Sequence, residues 1–323
     1  MDHITVLVLA DPTDPRLAML EELPPETGIA VGNSAEAFVR AAPDATVIFN
    51  WSLAGDLQRE VFRMCPNVEW VHSRSAGLDG LLFPELVESP VRLTNGRGLY
   101  SESLGEFVVG AILYFAKDLR RMIRNQAAGA WEPFDIVEVR GQTVGIVGYG
   151  DIGRAVATRV RALGMRVLAV KRHGPPAHEA APLAERIYGP EGLIEMISRS
   201  DYVVAAAPLT PETLGMIGEP ELAAMKPGAV LINVGRGPVV QEAALVKVLS
   251  EQRIKGAALD VFETEPLPGG HPFYKLENVL LSPHCADHTP DWLDQAMRFF
   301  LAQFERFRKG EPLKNVVDKR LGY

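Results

Sequence analysis

The sequence contains little cysteine and no long apolar run. Cys65 and Cys285 are the only cysteines among 323 residues. Two thiols are too few for a disulfide framework, and their spacing fits no zinc motif, so we expect a reducing compartment and no bound metal. No stretch approaches the ~18–20 apolar residues that span a bilayer. The short apolar run 4–10 follows no basic leader, which favours a buried strand of a cytoplasmic protein over a signal peptide.

An excess of positive charge is also missing. The chain has 33 Lys and Arg against 41 Asp and Glu, a net charge of −8. Neutralisation of phosphates needs a basic surface, so this balance argues against nucleic acid and against an anionic membrane as partners. One local basic pocket could still bind a small acidic substrate.

Short apolar, β-branched runs alternate with amphipathic stretches of helical length. Continuous apolar strands indicate sheets covered on both faces, and strand–helix alternation indicates parallel α/β units. The length favours two domains. The predicted strands cover residues 4–10, 46–50, 68–73, 91–95, 143–148, 166–170, 202–207, 229–234, 257–261 and 279–283.

A long apolar-faced segment, residues 102–124, separates the two sets of strands and is predicted as one helix entering the second domain. Residues 131–133 are predicted as a connecting loop. A second helical pattern after residue 288 is expected to return to the first domain. We therefore predict a first domain from residues 1–101 and 288–323, a second domain from residues 102–287, and a cleft between them.

A glycine-rich turn, Gly148-Tyr149-Gly150-Asp151-Ile152-Gly153, directly follows the strand 143–147 and precedes a predicted helix, 154–163. In this GxGxxG pattern, the first glycine permits a tight turn and the second allows close approach of a pyrophosphate. The third allows helix and strand to pack closely, and the helix N-terminus supplies N–H donors. We interpret the turn as a dinucleotide site, the alternative being a glycine turn that binds nothing.

The end of the next predicted strand, residues 166–170, bears on the choice between NAD and NADP. An acidic residue there would accept hydrogen bonds from the adenosine ribose 2′-OH. The sequence has Lys171-Arg172-His173 instead. Two cations would attract a 2′-phosphate, so we favour NADP over NAD. The alternative is a solvated basic strand end, with selectivity decided elsewhere.

Three further stretches each follow an apolar strand of the second domain: 233–237 (NVGRG), 260–268 (DVFETEPLP) and 282–284 (SPH). Ligands of open α/β sheets bind at the carboxyl ends of the strands. With the glycine turn, these stretches resemble the D-isomer-specific 2-hydroxyacid dehydrogenase family, in order and spacing, over nearly the whole chain. The resemblance implies two doubly wound parallel-sheet domains, with a Rossmann cofactor domain inserted into a flavodoxin-like substrate domain.

Mapped onto matching positions, the resemblance implies a catalytic triple. Arg236 binds the substrate carboxylate and polarises the keto oxygen, a task that suits a planar guanidinium. His284 is the general acid–base and also touches the cofactor. Glu265 hydrogen-bonds the imidazole, orients it and favours its protonated form. Taken singly, each of these residues is more often a surface or loop side chain.

The resemblance also implies binding residues outside that triple. The loop after strand 68–73 would receive the substrate carboxylate on the backbone N–H groups of Ala76 and Gly77, although a plain turn is the alternative. Along the cofactor, Asp260 would contact the nicotinamide carboxamide, with Val234 beside it. Pro208 and Thr213 would line the adenosine side, although a packing role is almost as consistent with these two residues. Ser103 would touch the cofactor from the start of the long helix.

Three residues depart from the family pattern or stand beside it without an assigned role. Asp287 and His288 occupy positions where the family usually carries small residues. Arg74, beside the carboxylate loop, either recognises a second anionic group or pairs with an acid. We leave all three open.

Together these features predict an NADPH-dependent reductase of glyoxylate or hydroxypyruvate that yields the D-2-hydroxy acid. One alternative is an NAD-dependent enzyme that acts on larger 2-keto acids or on 3-phosphoglycerate. Another is a dinucleotide-sensing interaction protein of the same fold. The apolar face of residues 102–124, together with the family, suggests a homodimer.

Overall fold

A computed structural model describes residues 4–172 and 183–323. Its chain forms two compact units. Unit 1 comprises Met1–Tyr100 and Thr289–Tyr323, and unit 2 comprises Ser101–His288. The predicted domain limits lie one residue from these divisions, and the roles of the two domains stay predictions. His173, part of the predicted basic strand end, lies outside the described residues.

Strands and helices alternate along the described parts of the chain. The strands are β1 (Thr5–Leu9), β2 (Gly28–Gly32), β3 (Val47–Asn50), β4 (Trp70–Ser73), β5 (Arg92–Thr94), β6 (Thr143–Val147), β7 (Arg166–Val170), β8 (Arg186–Tyr188), β9 (Tyr202–Ala205), β10 (Val230–Asn233), β11 (Gly256–Leu259) and β12 (Val279–Leu281). The α-helices are α1 (Gly55–Met64), α2 (Pro84–Glu88), α3 (Ser101–Ala116), α4 (Leu119–Ala128), α5 (Asp151–Ala162), α6 (Leu193–Arg199), α7 (Glu219–Ala224), α8 (Glu242–Ser250) and α9 (Trp292–Arg308).

Unit 1 is built on a five-stranded parallel sheet in the order β2-β1-β3-β4-β5. This is the flavodoxin-like order of a doubly wound fold. The C-terminal helix α9 covers one face, where Phe300 stacks on Phe49 with ring centroids 3.9 Å apart. Phe300 is fully buried, as is Trp70 beside it. The predicted return of the C-terminal helix to the first set of strands is therefore observed.

Unit 2 is built on a seven-stranded parallel sheet in the order β12-β11-β10-β9-β6-β7-β8. Numbered within this unit, the order is 7-6-5-4-1-2-3, the Rossmann order with one strand added at an edge. The order in which the chain adds strands reverses between β6 and β9, which are hydrogen-bonded parallel neighbours. In such sheets ligands bind outside the carboxyl ends of the strands at this reversal. The prediction of two parallel-sheet α/β domains is confirmed.

Two strands were not predicted from the sequence. Both β2 and β8 are edge strands, and each has only one hydrogen-bonded neighbour. β2 begins and ends with glycine and is partly exposed, and β8 has only three residues. An edge strand needs no continuous apolar run, so the pattern that identified the central strands is weak here.

The single helix predicted over residues 102–124 is wrong: the segment forms two helices, α3 and α4. Asp118 adopts a left-handed backbone conformation (φ +47°) and caps α4 by accepting from the Arg121 N–H. Left-handed backbone cannot continue an α-helix. The apolar face of α3 packs inside unit 2 against α5 and β10, whereas α4 buries no side chain.

No helix among the described residues combines the length and apolarity that membrane crossing requires. No cluster of three or more His, Cys, Asp or Glu side chains there is arranged to hold a metal ion.

Candidate active site

The glycine turn joins β6 to α5 with the geometry that a nucleotide requires. Gly148 has φ +95°, and a Cβ added there would lie 2.6 Å from the Ala207 backbone nitrogen. A Cβ on Gly153 would collide with the carbonyl oxygen of Gly148. A Cβ on Gly150 would meet nothing within 4 Å. The first and third glycines are therefore required by packing, and the second leaves open space for a ligand.

The start of α5 leaves its first N–H groups without a side-chain cap, because the N-cap residue is Gly150 itself. N–H groups without a side-chain cap and the helix dipole together favour a phosphate. Asp151 is paired with Arg154 in the same turn at 2.6 Å. Tyr149 is buried, and Ile152 lies in the first turn. This turn fits a dinucleotide pyrophosphate.

The predicted basic strand end follows β7. The Lys171 N–H donates to the Tyr188 carbonyl oxygen at 3.0 Å, which continues the pairing with β8. Arg172 forms an ion pair with Glu212 at 2.9 Å. Glu212 belongs to the loop after β9, far along the chain, and no local pattern in the sequence identified it.

Glu265 and His284 form the closest polar contact of the predicted catalytic set. Glu265 Oε2 lies 2.6 Å from His284 Nδ1. The other carboxylate oxygen, Oε1, accepts from the Phe262 N–H at 2.9 Å, which fixes the carboxylate. Because Nδ1 is engaged, Nε2 is the ring nitrogen left for proton transfer. Both side chains are partly exposed, 44% for His284 and 34% for Glu265, as groups that meet a substrate must be.

Glu265 and His284 shift each other's titration. The pKa of His284 is raised, chiefly by the hydrogen bond to Glu265 and further by the charge of that carboxylate, against the effect of burial. Burial raises the pKa of Glu265, but hydrogen bonds from His284 and Phe262 outweigh it, so the net pKa is lowered. The charge of Arg236 acts on both groups. The three predicted catalytic side chains thus share one electrostatic environment.

Arg236 follows β10 on a turn that Asn233 fixes. The buried Asn233 side chain donates to the Arg236 carbonyl oxygen at 3.1 Å and accepts from the Gly235 N–H at 3.1 Å. The Arg236 guanidinium donates to the Gly235 carbonyl oxygen at 2.8 Å. A Cβ on Gly237 would collide with the backbone of Phe262, so the turn packs directly on the segment that leads to Glu265.

Asp260 organises the loop that carries His284. Its Oδ1 accepts from the Ser282 hydroxyl (2.6 Å) and from the N–H groups of Cys285 (2.9 Å) and Ala286 (3.1 Å). Its carbonyl oxygen accepts from the His284 N–H at 2.9 Å. His284 has φ +51°, a conformation that costs a non-glycine residue ~1–3 kcal/mol and persists where the surroundings enforce it. The sequence suggested only a cofactor contact for Asp260, and it gave no role to Ser282, whose hydroxyl donates to Asp260.

The remaining cofactor assignments also lie in unit 2. Val234 is buried directly after β10, and its N–H donates to the Ala205 carbonyl oxygen at 3.0 Å. The Thr213 hydroxyl donates to the Pro208 carbonyl oxygen at 2.6 Å, which closes the loop after β9. Ser103 is half-buried in the first turn of α3. These contacts show packing and loop closure, and the cofactor roles stay predictions.

The predicted carboxylate loop lies in unit 1, directly after β4. Leu78 anchors it in the core, and Asn95 donates to the Ala76 carbonyl oxygen at 2.7 Å. Within the described part of the chain, no hydrogen-bond acceptor engages the N–H groups of Ala76 and Gly77. Two adjacent unengaged donors on a fixed loop suit a carboxylate.

Arg74, at the start of that loop, is held by aromatic side chains of the same unit. Its guanidinium lies 5.2 Å from the ring centroids of both Trp51 and Trp292. It also donates to the Trp51 carbonyl oxygen, and its own carbonyl oxygen accepts from the Tyr100 hydroxyl at 2.6 Å. Stacking between two indoles restricts the guanidinium, as cation–π geometry favours.

Asp287 and His288 follow His284 on the same loop. Asp287 Oδ1 lies 3.8 Å from His288 Nε2. Burial raises the pKa of Asp287, and the positive charge available on His288 partly opposes that effect. Asp287 therefore contributes a carboxylate near His284, with a weaker tendency to ionise than a surface aspartate.

Comparison with known proteins agrees with this geometry. Residues 109–286 match the model of the NAD-binding domain of the D-isomer-specific 2-hydroxyacid dehydrogenases. The chain is 34% identical to a glyoxylate reductase of Korarchaeum cryptofilum, over 83% of this chain and 82% of that protein.

Solved structures also resemble the chain along its length. A D-isomer-specific 2-hydroxyacid dehydrogenase of Xanthobacter autotrophicus Py2, in complex with NADPH and MES, has a TM-score of 0.84 and 30% identity over 100% of both chains. An NADPH-dependent glyoxylate/hydroxypyruvate reductase of Sinorhizobium meliloti, in complex with NADP and sulfate, has a TM-score of 0.82 and 27% identity over 100% of both chains.

Proposed function

Because the chain belongs to the D-isomer-specific 2-hydroxyacid dehydrogenase family, an NAD(P)-dependent group of enzymes, we propose that it reduces glyoxylate and hydroxypyruvate with NADPH. The product has the D configuration where the new carbon is a stereocentre. The observation that carries the proposal is the 2.6 Å contact between Glu265 and His284, within the electrostatic reach of Arg236. All three side chains belong to the unit that holds the glycine turn.

In the proposed reaction the guanidinium of Arg236 binds the substrate carboxylate. For unit 1 we propose separately that the N–H groups of Ala76 and Gly77 can receive a carboxylate. Arg236 also polarises the keto oxygen, where negative charge develops. When bound, NADPH would supply the hydride for the keto carbon. The residues that would hold it are the glycine turn 148–153, the strand-end residues Lys171 and Arg172, and Asp260.

His284 completes the reaction by donating a proton to the keto oxygen. Glu265 engages Nδ1, so the proton leaves from Nε2, and the raised pKa of His284 keeps the ring protonated to higher pH than an isolated histidine. Carbon gains the hydride and oxygen gains the proton, which yields the hydroxyl. In the reverse direction, neutral His284 accepts that proton.

Two features support NADPH over NADH. Lys171 and Arg172 follow β7, where Rossmann folds that bind NAD place an acidic residue. The similar proteins of X. autotrophicus and S. meliloti were solved with NADPH and NADP respectively.

A panel of 2-keto acids tests the proposed substrates and cofactor. NADPH and NADH oxidation would be followed at 340 nm with glyoxylate, hydroxypyruvate, pyruvate, a branched 2-keto acid and 3-phosphohydroxypyruvate. We expect the highest kcat/KM for NADPH with glyoxylate or hydroxypyruvate. A higher value for the branched or phosphorylated acid with NADH would replace the proposed substrate class, and no oxidation with any acid would overturn the proposal.

We also propose a homodimer, on a surface that shares only the C-terminal end of the segment 102–124 suggested by the sequence. The apolar face of α3 is buried within unit 2, but α4 and the segment after it expose apolar side chains. Trp131 is 96% exposed and Ile123 is 64% exposed, with Met122 and Ile136 nearby in the chain. Exposed apolar residues concentrated in this way mark an interaction surface, and a second copy would bury them in a twofold arrangement.

The oligomeric state tests this surface directly. Light scattering after size exclusion is expected to give a dimer for the native chain and a monomer for Trp131→Glu. Ile194→Glu, which adds the same charge at an exposed apolar position on α6, is the control and should stay dimeric. A native monomer, or a Trp131→Glu dimer as tight as the native one, would refute the proposal.

A further inference from the structure

A carboxylate reaches the end of β7 from a distant loop, although the strand itself supplies none. Glu212 Oε2 lies 2.9 Å from Arg172 Nη2. The Thr210 hydroxyl donates to the same carboxylate oxygen at 2.8 Å and lies 3.3 Å from Arg172 Nη2. The end of β7 therefore presents a positive and a negative group side by side.

The loop that carries Glu212 is fixed by its own hydrogen bonds. The Thr210 N–H donates to the Thr213 hydroxyl at 2.8 Å, and Thr213 donates in turn to the Pro208 carbonyl oxygen. Thr210 is buried, whereas the Glu212 side chain is 65% exposed and that of Arg172 is 28% exposed. The carboxylate is thus anchored at one oxygen while its other side faces solvent.

The ionisation of Glu212 follows from these contacts. Its pKa is lowered, first by the hydrogen bond from Thr210, then by its own backbone N–H, and further by the charge of Arg172. Glu212 is therefore charged at neutral pH. A charged carboxylate accepts hydrogen bonds from ribose hydroxyls but repels a phosphate, which carries a charge of about −1.5 to −2.

We propose that Glu212 is a cofactor-specificity residue, which restrains the preference for NADPH that Arg172 and Lys171 create. In this arrangement Arg172 attracts the 2′-phosphate of NADPH, while Glu212 competes for the same guanidinium and repels the phosphate. With NADH, Glu212 takes the place of the missing acidic residue at the strand end and accepts from the ribose 2′-OH. The inference rests on the proposed use of these nucleotides.

Glu212→Gln tests the inference with a binding measurement that needs no turnover. Calorimetry would give the Kd of NADP⁺ and of NAD⁺ for the native chain and the variant. Removal of the negative charge beside Arg172 is expected to tighten NADP⁺ binding about tenfold, with NAD⁺ binding unchanged or weaker. Arg172→Ala should weaken NADP⁺ binding more than NAD⁺ binding.

Glu185→Gln is the matched control. Glu185 pairs with Arg166 at 2.9 Å at the opposite end of the same strand β7, so its loss changes the net charge equally. We expect both Kd values to match those of the native chain.

Three outcomes would overturn the inference. Equal changes for both nucleotides in Glu212→Gln would show no discrimination. Weaker NADP⁺ binding in that variant would show that Glu212 merely orders Arg172 for the phosphate, and a native chain that binds neither nucleotide would remove the site. If the Kd ratio shifts as expected while the keto-acid panel shows no turnover, the specificity role stands and the proposed reaction fails.

Discussion

Glu265→Gln removes the charge from the contact between Glu265 and His284. The amide of glutamine has nearly the same shape, and its oxygen can still accept a hydrogen bond from Nδ1, which keeps the imidazole in place; the hydrogen bond that Oε1 accepts from the Phe262 N–H is then lost. At His284 the variant removes the negative charge that, with the hydrogen bond, raises the pKa of the imidazole. We therefore expect the pKa of His284 to fall in this variant.

The expected loss follows from the type of hydrogen bond. A bond to a charged partner contributes ~1.5–3 kcal/mol and a neutral one ~0.5–1.5 kcal/mol, so the charge accounts for ~1–1.5 kcal/mol. Because His284 and Glu265 are 44% and 34% exposed, solvent screening favours the lower value. A loss of ~1 kcal/mol from the transition state lowers kcat/KM about fivefold.

The dependence of kcat/KM on pH shows in which direction the pKa of His284 moves. Keto-acid reduction needs protonated His284, so the alkaline limit of this reaction should move to lower pH in Glu265→Gln. Hydroxy-acid oxidation needs neutral His284, so its acidic limit should move to lower pH as well. The assay is kcat/KM against pH in both directions, with saturating nucleotide.

Glu263→Gln serves as the matched control for this variant. Glu263 lies on the same loop, but its carboxylate accepts from the Glu242 N–H at the start of α8 and not from the histidine. Its pH profile should match that of the native enzyme. Unmoved limits in Glu265→Gln, or limits that move in opposite directions, would refute the assigned coupling.

Two further substitutions test the scaffold of the site. Gly148→Ala places a Cβ at φ +95° and 2.6 Å from the Ala207 nitrogen. We expect the free energy of unfolding, measured in urea, to fall by ~1–3 kcal/mol, and nucleotide binding, measured by calorimetry, to weaken. Unchanged stability would contradict the need for glycine at this turn. Asp260→Asn removes the charge from the oxygen that accepts three hydrogen bonds in the His284 loop. We expect kcat to fall at least about tenfold. A normal kcat would show that the loop keeps its structure without the charge of Asp260.

The central strands and the glycine turn could be predicted because their signals are local. A buried parallel strand is a continuous apolar run, and the GxGxxG pattern spans six residues from the end of such a strand into the first turn of a helix. The residues at the ends of β10, β11 and β12 could be grouped because parallel strands present their carboxyl ends at one edge of a sheet. The contact between Glu265 and His284 was expected from the family pattern.

The features that escaped prediction depend on contacts between distant segments. Nothing near Arg172 in sequence indicates Glu212, which is 40 residues away. The break at Asp118 interrupts a segment whose apolar pattern continues through it, and only the left-handed backbone there ends α3. The role of Asp260 in holding the His284 loop likewise requires the pairing of β11 with β12.

Single-turnover hydride transfer in His284→Asn, with nucleotide affinity measured on the same sample, tests the central claim most directly. Loss of a general acid is expected to slow NADPH oxidation by glyoxylate or hydroxypyruvate about 10²–10⁴-fold, with the Kd for NADPH nearly unchanged. A variant that oxidises NADPH at close to the native rate would show that His284 is not the proton donor and that its contact with Glu265 is structural.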